Sequence, residues 1–158
     1  MVRLLRRFAV LAALMFWQGG FTFYAAVVVP IGAEVLESHT KQGFITRQVS
    51  NWLNVAGAVA LPVLAWDLVV AHEALSWRHW WRWTAWVVAL LALGTLVILH
   101  QRLDELLQSE QFQILDREQY RDLHRFYLWT STVQWGALVV WLLLALGTWR
   151  SEEQLGRH

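Results

Sequence analysis

Four apolar runs, residues 8–31, 52–70, 84–99 and 126–149, are set off from one another by short polar clusters, and their length is the strongest constraint on the chain. A helix rises about 1.5 Å per residue, so a run of roughly 20 apolar residues matches the hydrocarbon core of a bilayer, about 30 Å thick. Hydrophobic residues make up 57% of the chain and charged residues only 16%, whereas an average soluble domain carries about 25% charge. The pattern predicts an all-α integral membrane protein, one domain over residues 1–158, folded as an antiparallel four-helix bundle.

Arg3, Arg6 and Arg7 precede the first run. Cationic residues stay on the cytoplasmic side of a membrane, so the first run is read as a retained anchor with a cytoplasmic N-terminus, and four passes return the C-terminus to the same face. Over the whole chain the bias is slight: Arg3, Arg6, Arg7, Arg78, Arg82, Arg150 and Arg157 fall on that face, and Lys41, Arg47, Arg102, Arg117, Arg121 and Arg125 on the other. Phe44, Ile45, Val49, Trp52 and Leu53 recur at near-helical spacing, which predicts an interfacial helix over residues 43–51 leading into the second run. Small residues at Ala56, Gly57, Ala58 and Ala60 allow close helix approach there, and Pro62 suggests a kink. Trp77, Trp80, Trp81, Trp83 and Trp86, beside Arg78 and Arg82, read as an interfacial aromatic belt around a short connection at residues 72–82.

Helical periodicity runs past the third apolar segment through Leu103, Leu106 and Leu107. Helices 3 and 4 are therefore expected to extend beyond the membrane as a polar, charged hairpin over residues 100–125. This stretch holds Asp104, Glu105, Glu110, Asp116, Glu118 and Asp122 of the 12 acidic residues. Its turn is placed at residues 108–115, with Asp116 as N-cap and Gln119 completing a capping box. Asp104 and Glu105 are expected to face Arg117, Arg121 and Arg125 across the hairpin as solvent-exposed pairs.

Hydrogen-bonding groups are costly in lipid, which makes those inside the spans the first candidates for a role. Gln18 and Gln134 both fall near mid-bilayer and are each other's nearest partners in depth, either as interhelical glue worth about 0.6 kcal/mol or as the polar lining of a substrate or quinone site. Asp67 is the remaining intramembrane charge, with Arg6, Arg7, Arg82 and Arg150 as expected partners. At the non-cytoplasmic face, His39, His100, Asp104 and His124 form a histidine–carboxylate set. Asp104 lies one turn after His100, and nitrogen and oxygen donors of this kind suit zinc or copper. A haem between His100 and His124 is a third use of these residues, although both imidazoles sit near helix ends, and His72 and His79 lie at the opposite face on one short connection. More often such residues cap helices or bind water.

With no cysteine, disulfides, thiolate metal sites and a cysteine nucleophile are excluded. A formal charge of +1 without a Lys/Arg cluster argues against nucleic acid. No Ser-His-Asp spacing, phosphate-cradling glycine loop or HExxH motif is present, so hydrolase and nucleotide chemistry have no foothold.

Trp17-Gln18-Gly19-Gly20 with Phe21 and Phe23, then Val29-Pro30, Gly43-Phe44 and Leu123-His124 followed by Phe126, resembles the bacterial four-helix membrane domain of unknown function grouped with animal transmembrane protein 205. The resemblance covers most of the chain. It implies a four-pass bundle of a bacterial inner membrane without assigned catalysis, connected to the handling of metal-containing or toxic compounds, and it supplies no catalytic residues. The twelve tryptophans and the long polar hairpin depart from that pattern.

Three functions are thus in play. The first is a small non-catalytic membrane protein acting as accessory, scaffold or subunit, self-associating or joined to other membrane subunits in the bilayer. The second is a metal- or haem-binding redox protein using His39, His100, Asp104 and His124. The third is an enzyme acting on lipid or quinone, for which only Asp67 and the two glutamines stand ready. Transport through four helices would need an oligomer.

Overall fold

The computed structural model describes residues 1–71, 73, 75–108 and 113–155. Helix α1 covers Val2–Val35, α2 His39–Val70, α3 Ser76–Glu105 and α4 Arg117–Leu155. All four are long and apolar enough to cross a membrane by length and composition. Between α3 and α4, β1 (Leu107–Gln108) pairs antiparallel with β2 (Gln113–Ile114), Leu107 opposite Ile114.

The elements run longer than the apolar runs suggest. Residues 43–51 are not a separate interfacial helix, because α2 continues unbroken from His39 to Val70 with Pro62 inside it. The connection placed at residues 72–82 shrinks likewise, since α3 already starts at Ser76. Backbone hydrogen bonds propagate cheaply once a helix exists, so polar residues at the ends of a span extend it rather than stop it. In the hairpin, the short ladder replaces the helical continuation expected through Leu107, and residues 109–112 lie outside the described part. Asp116 does cap α4: its Oδ1 accepts from the backbone amides of Glu118 at 2.9 Å and Gln119 at 3.0 Å.

The turn from α1 to α2 is tight. Ser38 is the N-cap of α2 and accepts from the Lys41 amide at 3.3 Å. Glu37 before it has φ 48°, the left-handed geometry that commonly closes a helix but that glycine occupies most easily.

The core follows helical spacing on each element: Val10, Leu14 and Trp17 on α1; Ala60, Leu61, Leu64 and Leu68 on α2; Leu138, Trp141, Ala145 and Trp149 on α4. Helix α3 presents Ala85 and Ala89, small enough for the Trp141 side to approach closely. Helix α1 packs on α2, α2 on α3, and α3 most extensively on α4. Large apolar side chains also point outward, among them Phe8, Phe16, Val59, Leu91, Trp129 and Leu143.

Candidate functional site

Two polar assemblies lie between these helices, one near the chain termini and one toward the hairpin. The first is a charge network that joins all four helices. Asp67 of α2 is fully buried. Its carboxylate receives Arg82 Nη2 of α3 at 2.5 Å and Trp149 Nε1 of α4 at 3.1 Å. Arg6 Nε of α1 stands 2.9 Å away as an ion pair without hydrogen-bond alignment. Arg6 also forks onto Glu152 of α4, Nη2 lying 2.9 and 2.7 Å from the two oxygens.

Around this centre Arg7 donates to the Trp149 carbonyl and to both Glu152 and Glu153. Arg82 donates to Thr148 at 3.4 Å and sits 5.0 Å over the Trp141 ring. Thr148 in turn donates to Glu73, which pairs with Arg78 at 3.3 Å. Arg6 and Arg82 offset Asp67 and Glu152, and the buried Glu73 side chain is answered by Arg78, so each buried charge has a counter-charge, which is the condition under which ions can be held away from water. Of the four arginines expected near Asp67, the structure brings in Arg6 and Arg82.

The second assembly is a cavity of about 450 Å³, reaching from Trp17 and Gln134 near the middle of the helices to His100, Asp104, Tyr120 and His124 at the hairpin end. Two helices line it with hydrogen-bonding side chains at helical spacing. On α2 these are Gln42, Thr46, Ser50 and Asn54, one every fourth residue over about 18 Å of helix. On α4 they are Tyr120, His124, Tyr127, Ser131 and Gln134, spaced four and three in alternation, so they too share one face. Helix α3 closes the cavity with Leu96 and Leu103, and α1 with Trp17, Phe21 and Tyr24.

Two π turns in α1, Met15–Gly19 and Tyr24–Val28, supply Trp17 and Tyr24, both buried. A π turn inserts one residue into the coil and re-aims the side chains beyond it, and such turns gather at functional sites. Trp17 packs on α2 at Gly57, where an added Cβ would come within 2.6 Å of the indole, so glycine alone leaves room.

The lining is bonded to itself. Gln42 Nε2 donates to the Tyr24 hydroxyl at 3.4 Å, and that hydroxyl donates to Thr46 Oγ1 at 3.0 Å. Tyr127 shares hydrogen bonds with Ser50 and Asn54 across the α2–α4 gap. Gln134 donates to the Ala89 carbonyl of α3 at 3.3 Å rather than to Gln18. Gln18 is half-buried and outside the cavity; its carbonyl accepts from Thr22. At the mouth, Asp104 meets Arg47 of α2 at 2.6 Å, not the arginines of α4. Arg117, Arg121 and Arg125 are exposed instead, because the face of α4 that meets the other helices carries the Tyr120–His124 stripe.

Of the histidine–carboxylate set, His100, Asp104 and His124 do converge on the cavity. His100 Nε2 is 3.6 Å from Asp104 Oδ2, and His124 stacks on Tyr120 with ring centroids 5.9 Å apart. Among the described residues no three His, Cys, Asp or Glu groups gather closely enough to hold a metal ion. The side chain of His39 and the whole of His72 lie outside the described residues. His79 is at the opposite end, accepting from Trp83 Nε1 at 3.1 Å.

Sequence reasoning missed the α2 stripe. Its signal was present, four neutral polar residues at intervals of four, but it straddles the boundary assigned between an interfacial helix and a span. Compared with protein families, curated proteins and solved structures, the chain matches none.

Proposed function

We propose that the chain is a four-span integral membrane protein, packed antiparallel with both termini cytoplasmic, that serves as a non-catalytic accessory subunit by binding a small molecule in the cavity between α2 and α4. One observation carries this reading: helices otherwise apolar enough for lipid place nine hydrogen-bonding side chains on two facing stripes around about 450 Å³ of space. That volume lies within the range of about 300–1,000 Å³ used by small-molecule sites. Polar side chains inside a span are costly unless they serve packing or a ligand, and packing alone does not need a cavity. The outward Phe, Leu, Val and Trp side chains fit a lipid surround, since a protein in water rarely exposes so large an apolar area. The resemblance to the four-pass domain grouped with transmembrane protein 205 agrees with this arrangement.

Native mass spectrometry of the protein released from mild detergent tests the reading. The wild-type chain is expected to carry an added small mass that the Ser50→Leu/Asn54→Leu variant loses while still folding, with a melting temperature lowered only by the loss of its bonds to Tyr127. A wild-type chain that never retains such a species would contradict it.

The metal-redox reading uses the same cavity. His100, Asp104 and His124 favour it by sharing one mouth, but Arg47 at 2.6 Å already neutralises Asp104. Elemental analysis showing stoichiometric zinc or copper, or a visible haem spectrum, would move it ahead.

A further inference from the structure

The cavity reading leaves open what enters and from where, and the edge between α1 and α4 bears on both. Helix α1 packs along α2, but among the described residues its polar links to α4 are the contacts of Arg6 and Arg7 near the termini and one bond midway, Trp135 Nε1 donating to Thr22 Oγ1 at 3.2 Å. Outside that bond lies a groove of about 330 Å³ bounded by Phe21, Thr22, Ala25, Ala26, Thr132 and Trp135. Phe21 and Ala25 line this groove and the inner cavity alike. The wall between lipid and cavity is therefore one side chain thick there, and one of its two residues is an alanine. One π turn of α1 ends just before this stretch, and Ala25 and Ala26 lie within the other.

The chemistry of the interior narrows the occupant. The Arg47–Asp104 pair is internally compensated, and the groove itself contains no charged residue, so nothing along the route repays the desolvation of an ion. Trp17 and Phe21 offer aromatic rings on one side, while Tyr127, Ser131 and Gln134 offer hydrogen-bonding groups on another. Resting on the cavity as a binding site, we infer that its ligand is an uncharged, ring-bearing amphipath of the quinone or phenol class that enters sideways from the bilayer through the α1–α4 seam, with Trp135–Thr22 as the latch. The ring stacks on Trp17 and Phe21, its oxygen substituents meet the α4 stripe, and its chain trails toward the groove.

The test uses the full-length protein in lipid nanodiscs and a decyl-substituted benzoquinone dissolved in the lipid, read by the saturable part of tryptophan quenching. Wild type is expected to show saturable quenching that Trp17→Phe largely removes. Trp135→Phe opens the latch and should speed association by about threefold, whereas Ala26→Trp, in the groove but outside the cavity lining, narrows the passage and should slow it about tenfold, both with smaller changes in affinity. Saturable binding with association rates unchanged in both variants overturns the seam while leaving the cavity in place. Absence of quinone binding in a protein that still retains a small molecule in native mass spectrometry overturns the ligand class. Absence of both overturns the binding site itself and this inference with it. Trp135→Phe removes a half-exposed side chain's hydrogen bond, so the rate comparison survives if Ala26→Trp fails to fold.

Discussion

Asp67 is shared by Arg6, Arg82 and Trp149, from three other helices. Replacing it by Asn leaves two arginines buried with half their counter-charge, so Asp67→Asn is expected to destabilise by about 3–5 kcal/mol. Glu153→Gln, at a carboxylate 59% exposed, should cost about 0–1 kcal/mol by the same unfolding assay. Equal losses would mean that the network is not buried in the way described. Glu37 makes the opposite case. Its positive φ is a small built-in strain at an exposed turn, and Glu37→Gly should raise stability by about 1 kcal/mol, seen as a higher melting temperature in detergent. A drop would show that the side chain does something the backbone geometry does not reveal.

At the scale of elements, α2 has two faces with different duties. Toward the termini Leu61, Leu64 and Leu68 pack into the core; toward the hairpin Gln42, Thr46, Ser50 and Asn54 face the cavity. Gly57 sits between these halves and seats Trp17. Gly57→Val should force the indole off α2, costing about 1–3 kcal/mol from overpacking and lowering retention of any cavity ligand. Unchanged Trp17 fluorescence in that variant would contradict the contact. The four helices were legible in the sequence because apolar length is a one-dimensional property, and Asp116 was legible as a cap because caps are local. The partner of Asp104 was not. Which way a residue at a helix end points depends on the rotation of the whole helix, and α3 turns Asp104 toward Arg47 on α2 rather than toward Arg121 on the next helix. Gln18 and Gln134 were placed together by depth alone, and rotation separates them for the same reason.

For the molecule as a whole, the two polar assemblies divide the work. The charge network ties the ends of α1, α2, α3 and α4 together near the termini, where a fixed geometry is needed. The hairpin half holds the cavity and, at the α1–α4 edge, the groove that shares Phe21 and Ala25 with it. Such a division makes sense only if lipid surrounds the outer faces and the α2 stripe looks inward. Single cysteines can be introduced cleanly because the chain has none. Spin labels at Thr46, Ser50 and Asn54, and at the outward Val55 and Val59, placed in the protein reconstituted in bilayers, report how often each site collides with dissolved oxygen, which concentrates in lipid. The expected result is high collision frequency at 55 and 59 and low frequency at 46, 50 and 54, with Asn54 and Val55 differing sharply although they are neighbours at one depth. Equal frequencies at 54 and 55 would contradict an inward polar stripe, and uniformly low oxygen contact at every site would contradict the membrane setting altogether.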